Sequence, residues 1–178
     1  MFPTETTYGL GCDATNQTAV EKIFKIKGRK ADKPFLAVVP TIEVSKEYLE
    51  WNELLQKISE KYWPGAVTVV GRAKENFFIN GIVAQDKTMA VRVTADPWLN
   101  ELATQFGKPV VATSANLADQ ASVYSVDEIK EIFENQEFKP DAIVDAGVLP
   151  QNPPTTIVSV VNNELKILRQ GGVAVDLN

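Results

Sequence analysis

Two clusters of residues in this 178-residue chain are of the kind that does chemistry. The first is Pro3-Thr4-Glu5-Thr6-Thr7-Tyr8-Gly9-Leu10-Gly11. Its Thr4, Thr6, Thr7 and Tyr8 offer neutral hydrogen-bonding groups that suit the ammonium and carboxylate of a small polar ligand. The second is Lys27-Gly28-Arg29, a point charge and a planar fork placed at the end of an expected helix. That pairing suits phosphate oxygens. A third element, Ser114-Ala115-Asn116, is a polar turn at the carboxyl end of an expected strand, where open α/β sheets hold ligands. Together they describe a site for two substrates, one amino-acid-like and one nucleotide-like.

Other chemistries are excluded by what is missing. The chain has no histidine, which removes histidine general bases, Ser-His-Asp triads and histidine zinc sites. No Gly-x-x-x-x-Gly-Lys loop occurs, and Gly9-Leu10-Gly11 lacks the third glycine of a dinucleotide fingerprint. Asp13, Asp86, Asp96 and Asp145 are scattered and read as cap or turn residues rather than paired carboxylates. The net charge of −5 argues against a protein whose main task is gripping nucleic acid. A local basic cluster of Lys27, Arg29, Lys30 and Lys33 nevertheless sits inside that acidic whole.

The elements that must position these groups follow from periodicity and punctuation. Helices are expected over 19–27, 52–62 and 97–106, the last with Pro97 in its first turn and Gly107 past its end. Ser125-Val126-Asp127-Glu128 matches a capping box and starts a helix running to 134. Apolar runs predict strands over 35–39, 67–70, 89–93, 110–113, 142–145, 155–161 and 165–169. Asn162-Asn163 suits a type I′ turn between the last two, so the sheet is mixed. Trp63-Pro64-Gly65 reads as a core aromatic followed by a turn. The segment 76–86 reads as an irregular excursion.

Length and composition point to one α/β domain with a mixed sheet. The lone Cys12 cannot form an internal disulfide, which suggests a reducing cytoplasm, and it reads as a small buried side chain. No apolar run approaches the ~20 residues that cross a bilayer, and no signal-peptide pattern opens the chain.

Taken together, the opening motif, Lys27-Gly28-Arg29, Trp63-Pro64-Gly65, Val91-Arg92-Val93, Ala112-Thr113-Ser114-Ala115-Asn116 and Leu168-Arg169-Gln170-Gly171 resemble the YrdC-like threonylcarbamoyl-AMP synthases in order and spacing. The resemblance spans essentially the whole chain. It implies a single YrdC-like domain over 1–178, with a twisted mixed sheet, flanking helices and a deep cleft. It also implies an activity: L-threonine, bicarbonate and ATP combine into threonylcarbamoyl-adenylate and pyrophosphate, with Mg2+ accompanying the ATP and no metal ligands from protein side chains. Partner proteins would then carry the threonylcarbamoyl group to tRNA, and a weak direct contact with tRNA is left open. The expected location is the cytoplasm, as a monomer or dimer.

Carried over by position, the resemblance assigns Thr4, Thr6, Arg92, Ala112 and Thr155 to the threonine pocket, with Arg92 on the carboxylate. It assigns Lys27, Arg29, Ser114 and Asn116 to the ATP phosphates, Lys27 and Arg29 being the catalytic pair. Lys33, Thr88, Ser122 and Arg169 complete the nucleotide contacts. Each has a plainer reading: Lys27 and Arg29 as a solvated helix end, Ser114 and Asn116 as a simple turn, Arg92 and Arg169 as surface charges. The competing function is a non-catalytic RNA- or nucleotide-binding module of the same fold.

Three departures from the family pattern stand out. The family pattern places a strand and a helix before the opening motif, where only Met1 and Phe2 stand here. Either the sequence starts late or the sheet has lost an edge element, which would expose a sheet edge and favour lower stability or dimerisation. Pro154-Thr155-Thr156 keeps a hydroxyl but loses the usual acid, and Val38 stands near where relatives carry a histidine.

Overall fold

The computed structural model describes residues 1–30 and 33–177, and among these nine strands and five helices form two sheets with flanking helices. The small sheet holds β1 (Phe2–Pro3), β2 (Tyr8–Leu10) and β7 (Thr113–Ser114), in that order. The large one runs β6 (Val110–Val111), β3 (Ala37–Val39), β5 (Thr88–Val93), β4 (Val67–Arg72), β8 (Thr156–Ser159) and β9 (Lys166–Arg169). Its pairings are mixed: β3 with β5 and β4 with β8 are parallel, the others antiparallel.

Alternation along the central strands decides which face carries the site. Val91 and Val93, with Val67 and Val69 beside them, belong to the main core along with Ala37 and Val39. The intervening residues Ala90 and Arg92 therefore face the other way, as a strand's period of two requires. On that opposite face Val38 pairs in register with Arg92, Thr68 with Ile157, and Ile157 with Arg169. Extending the Val69–Val91 pairing by one residue brings Thr68 opposite Arg92. One row of side chains thus crosses five strands, with Arg92 on the second and Arg169 on the last.

Helix boundaries follow local chemistry. In α1 (Gln17–Lys27) the Asn16 side chain accepts from the Ala19 N–H, and Gly28 closes the helix in the left-handed region at φ 58°. In α3 (Glu53–Tyr62) Asn52 is the cap, and α4 (Pro97–Phe106) starts on Asp96 and stops at Gly107. The expected capping box is present in α5 (Val126–Phe133), where Ser125 and Glu128 satisfy each other's backbone N–H groups. Asn162 and Asn163 both take positive φ, as a type I′ turn demands, and β8 and β9 pair antiparallel around them. Trp63 is buried and its Nε1 donates to the Val67 carbonyl. No helix among the described residues is long and apolar enough to cross a membrane.

Three expectations are corrected. The run 110–113 is not one strand: Val110 and Val111 pair with β3, whereas Thr113 and Ser114 pair with β2. The chain changes sheets at Ala112. No strand forms over 142–145, where the Val144 N–H donates to the Met1 carbonyl but no ladder develops. An unexpected helix, α2 (Ile42–Tyr48), follows β3, capped by the Thr41 hydroxyl on the Val44 N–H.

Gly81, inside the irregular excursion, shows how remote packing supports the site. Its φ is +87°, and a Cβ there would lie 2.3 Å from Phe24 Cε2 of α1. Phe24 in turn stacks on Phe35 with centroids 4.3 Å apart, and the Arg29 guanidinium lies 4.9 Å over the same Phe35 ring. A Gly81→Ala change must strain the backbone and displace Phe24 together, at a cost of about 1–3 kcal/mol. We expect a drop in melting temperature of roughly 3–10 °C by thermal denaturation; an unchanged transition would show that the excursion does not brace α1.

Candidate active site

A cavity of about 370 Å³ opens between the two sheets. Its walls come from distant parts of the chain: Thr4, Thr6, Thr7 and Gly9 of the opening motif, Pro34 to Leu36, the row Ala90, Arg92, Thr68 and Ile157, then Ala112 to Ser114, Ser122, Tyr124, Asn152 to Thr155 (without Pro153) and Arg169, with Arg29 beside Phe35. Three arginines face one space. Of the residues singled out from sequence, Thr4, Thr6, Arg29, Arg92, Ala112, Ser114, Ser122, Thr155 and Arg169 line it. Lys27, Lys33, Thr88 and Asn116 do not.

Lys27 and Asn116 stand one layer behind the wall, and their geometry explains why. The Lys27 ammonium donates to the Ser114 carbonyl at 2.6 Å, the Asn116 carbonyl at 2.9 Å and Asn116 Oδ1 at 3.0 Å. A lysine has three donors, and all are used. Ser114 Oγ also donates to Asn116 Oδ1 at 2.6 Å, and Asn116 Nδ2 donates to the Gln120 carbonyl. Lys27, 3% exposed, is therefore the post on which the Ser114–Asn116 turn is built. Burial first, and the charge of Arg29 second, push its pKa down to about 8. No carboxylate pairs with it among the described residues. Its expected direct contact with phosphate is thus replaced, in the free protein, by a contact with the turn that carries Ser114 into the cavity.

Thr88 and Lys33 are placed elsewhere. Thr88 shares the cavity face with Ala90 and Arg92 but is tied down by Asp86, whose Oδ1 accepts from both its N–H and its hydroxyl. Lys33 is exposed outside the cavity.

The opening motif divides its hydroxyls between scaffold and cavity. Thr4 Oγ1 donates to the Thr7 carbonyl at 2.7 Å and accepts from the Thr6 and Thr7 N–H groups, which makes it the organiser of the turn. Thr7 Oγ1 donates to the Val123 carbonyl. Tyr8 is fully buried; its hydroxyl donates to the Gly147 carbonyl and accepts from the Ala146 N–H. Tyr8 fastens the irregular segment 134–155 and offers nothing to a ligand, contrary to the expectation from its type. Thr6 retains its hydroxyl for the cavity, apart from a 3.2 Å contact with Thr4 Oγ1.

On the far wall Arg169 grips Thr155 through Nε and Nη2 on the backbone carbonyl, at 3.1 and 2.8 Å, and through Nη2 on the hydroxyl. Thr155 Oγ1 lies 3.1 Å from Thr68 Oγ1. Gly171 permits this arrangement, because a Cβ there would come within 2.1 Å of the Pro154 carbonyl. Arg92 is 3% exposed, its pKa pushed down to about 10 by burial, and it remains charged near neutrality. Its partner is Glu5. Cys12 is half-buried, and burial with the nearby Asp13 pushes its thiol up to about 12, so it is inert. Sequence reasoning passed over Thr68, Asn152, Tyr124 and the Glu5 side chain. Thr68 was signalled by its alternation with Val67 and Val69, whereas Asn152 and Tyr124 belong to stretches with no periodicity.

Relatives of known name share this architecture. The threonylcarbamoyl-AMP synthase of Pseudoalteromonas translucida is 35% identical over 168 residues, covering 93% of this chain and 88% of that protein. The threonylcarbamoyl-AMP synthase of Bacillus subtilis is 30% identical, but the chain spans only 49% of its length. Among solved structures, P. abyssi Sua5 complexed with L-threonine superposes with a TM-score of 0.85 at 32% identity, over 96% of this chain and about half (49%) of that one. E. coli YciO superposes at 0.86 with 24% identity, a likeness of fold. The Sua5/YciO/YrdC family, described under telomere recombination, matches residues 1–171, and the chain belongs to that family.

Proposed function

We propose that this protein is a threonylcarbamoyl-AMP synthase, joining L-threonine, bicarbonate and ATP into threonylcarbamoyl-AMP and pyrophosphate. The observation that carries this reading is the convergence of Arg29, Arg92, Ser114 and Arg169 with the hydroxyls of the opening motif on one cavity. The relatives named above bear that activity in their names, and the Sua5 structure was obtained with L-threonine.

The chemistry asks for positioning more than for a tuned base. Threonine's amine adds to carbon dioxide derived from bicarbonate, giving a carbamate. A carbamate oxygen then attacks the α-phosphorus of ATP, a P–O bond forms, and the bond to the β-phosphate oxygen breaks to release pyrophosphate. Both reactants are anions, so the protein's work is to hold them together and offset their repulsion. Arg92 receives the amino-acid carboxylate, with Thr6, Ala112 and Thr155 around it. Arg29, Ser114 and Arg169 face the phosphates, and Lys27 adds its charge from behind the turn. Ser122 completes the nucleotide side, Asn116 serves it by holding the turn from behind, and Lys33 and Thr88 join only after rearrangement.

Magnesium would supply charge neutralisation on the phosphate oxygens. The oxygen donors that the cavity offers toward such an ion are hydroxyls, those of Thr6 and Ser114 among them, while its arginines would face the phosphates. The adenylate would pass to partner proteins that modify tRNA in the cytoplasm.

Incubation with the three substrates should yield threonylcarbamoyl-adenylate by mass spectrometry, and omission of any one should abolish it. Arg29→Ala should lower pyrophosphate release by about 10²–10³-fold with the circular dichroism spectrum unchanged; full activity in that variant would remove the phosphate assignment. A pH dependence follows from Lys27. Free protein begins to lose the Lys27 proton near pH 8. A bound triphosphate favours the charged form, so the complex holds more protons than the free protein above that pH. ATP affinity should therefore fall as pH rises through about 8, with net proton uptake on binding in calorimetry using buffers of different ionisation enthalpy. Proton release, or a flat profile, would show that Lys27 does not sense the nucleotide.

A further inference from the structure

Glu5 lies in the middle of the opening motif, yet its side chain does not belong to the hydroxyl turn around it. It reaches the guanidinium of Arg92, far along the chain, and its Oε1 accepts from Arg92 Nη1. Thr94 Oγ1 lies 3.4 and 3.5 Å from the two Glu5 oxygens, and the Glu5 backbone carbonyl accepts from Asn152 Nδ2 at 2.8 Å. The carboxylate is thus held from two directions, and the backbone beneath it from a third.

Arg92 is left half-satisfied by this contact. The bond from Nη1 is the one hydrogen bond its guanidinium makes among the described residues, and Nε is buried with no partner. A buried N–H without an acceptor costs free energy of the order of a lost hydrogen bond. The residue lines the cavity. An arginine presents two edges to carboxylates: the Nη1–Nη2 end and the Nε–Nη2 side. Glu5 takes the Nη1 position, which leaves the side of the group away from it without an acceptor among the described residues, its Nε lying beneath the surface.

We propose that Glu5 is a positioning residue that fixes the Arg92 guanidinium through its Nη1 end, so that the rest of the group receives the carboxylate of the amino-acid substrate. The inference rests on the reading of Arg92 given above. Glu5 also supplies the carboxylate in direct contact with this buried guanidinium, Asp96 acting on it only from farther off. The substrate arrives as a zwitterion, so its ammonium offsets the repulsion between its own carboxylate and Glu5. The hydroxyl turn organised by Thr4 sets where Glu5 stands, which gives Thr4 an indirect part in amino-acid recognition.

Glu5→Gln keeps the length and one acceptor oxygen but removes the charge. In the full chain, the Kd for L-threonine by calorimetry should rise about tenfold, the loss of one charge-assisted hydrogen bond. The KM for threonine should rise with it, while the KM for ATP and kcat at saturating threonine stay unchanged. Glu5→Asp, with the charge kept and the reach shortened, should fall between parent and Glu5→Gln, and it carries the test if Glu5→Gln does not fold. Unchanged threonine affinity, or an equal rise in the KM for ATP, would overturn the proposal. Tighter threonine binding would also overturn it, since Glu5 would then be a competitor for Arg92. Arg92→Ala separates the two readings. If it binds threonine as the parent does, the assignment of Arg92 falls and this inference with it; if it loses threonine while Glu5→Gln does not, the inference alone falls.

Discussion

Burying positive charge is the constraint on which the site depends. Lys27 and Arg92 are each 3% exposed in a protein whose net charge is −5. A cation held this far from water is tolerated only when hydrogen-bonded or paired. The chain meets that requirement in two ways. Around Lys27 it supplies two backbone carbonyls and an amide oxygen, neutral acceptors that leave the charge available to an anion nearby. Around Arg92 it supplies one carboxylate, on one side only. Saturating both residues with carboxylates would have made a more stable protein with no attraction for phosphate. Burial, and then the charge of Arg29, lowers the pKa of Lys27, and no carboxylate in contact among the described residues offsets them.

That choice dictates the architecture around it. Carbonyls can converge on an ammonium only where backbone leaves its ladder, and the break at Ala112 provides the place. By leaving β3 after Val111 and joining β2 at Thr113, the chain opens a wedge between the two sheets. Ala112 keeps one anchor across the break, its N–H donating to the Leu36 carbonyl. The turn that follows curls around Lys27 at the end of α1, and Gly28 lets the chain leave that helix at once so that Arg29 enters the cavity while Lys27 stays behind it. Spacing within Lys27-Gly28-Arg29 thus separates two roles that residue type alone would merge.

Much of this was legible in the sequence, for reasons that vary by element. Caps and stops at Asn16, Asp96, Gly107 and Ser125 are local interactions, so their residues announce them. The Asn162-Asn163 turn is legible for the same reason. The strand over 142–145 was misread because an apolar run says nothing about whether a partner strand is within reach. The seven-residue α2 is too short to show a period. The run 110–113 looked continuous because both halves are extended, and a change of sheet leaves no mark on hydrophobicity. Motif residues located the site, but their hydrogen-bond partners did not follow from type: Tyr8 was available to a ligand by chemistry and unavailable by burial.

Segment 134–155 has little regular structure, yet it forms part of the cavity wall through Asn152, Pro154 and Thr155. A stretch of that length without a ladder needs fixed points, since each residue held in place costs about 1–2 kcal/mol of backbone entropy. Besides Met1 on Val144 and Tyr124 on Leu149, its fixed points include residues of the opening motif and of the last strand. Tyr8 holds residues 146 and 147, the Glu5 carbonyl holds Asn152, and Arg169 holds Thr155. The same short motif that faces the amino acid with Thr6 therefore also pins the opposite wall. The backbone of Glu5 and the side chain of Tyr8 thus tie the width of the cleft to the local geometry of a few residues near the amino end.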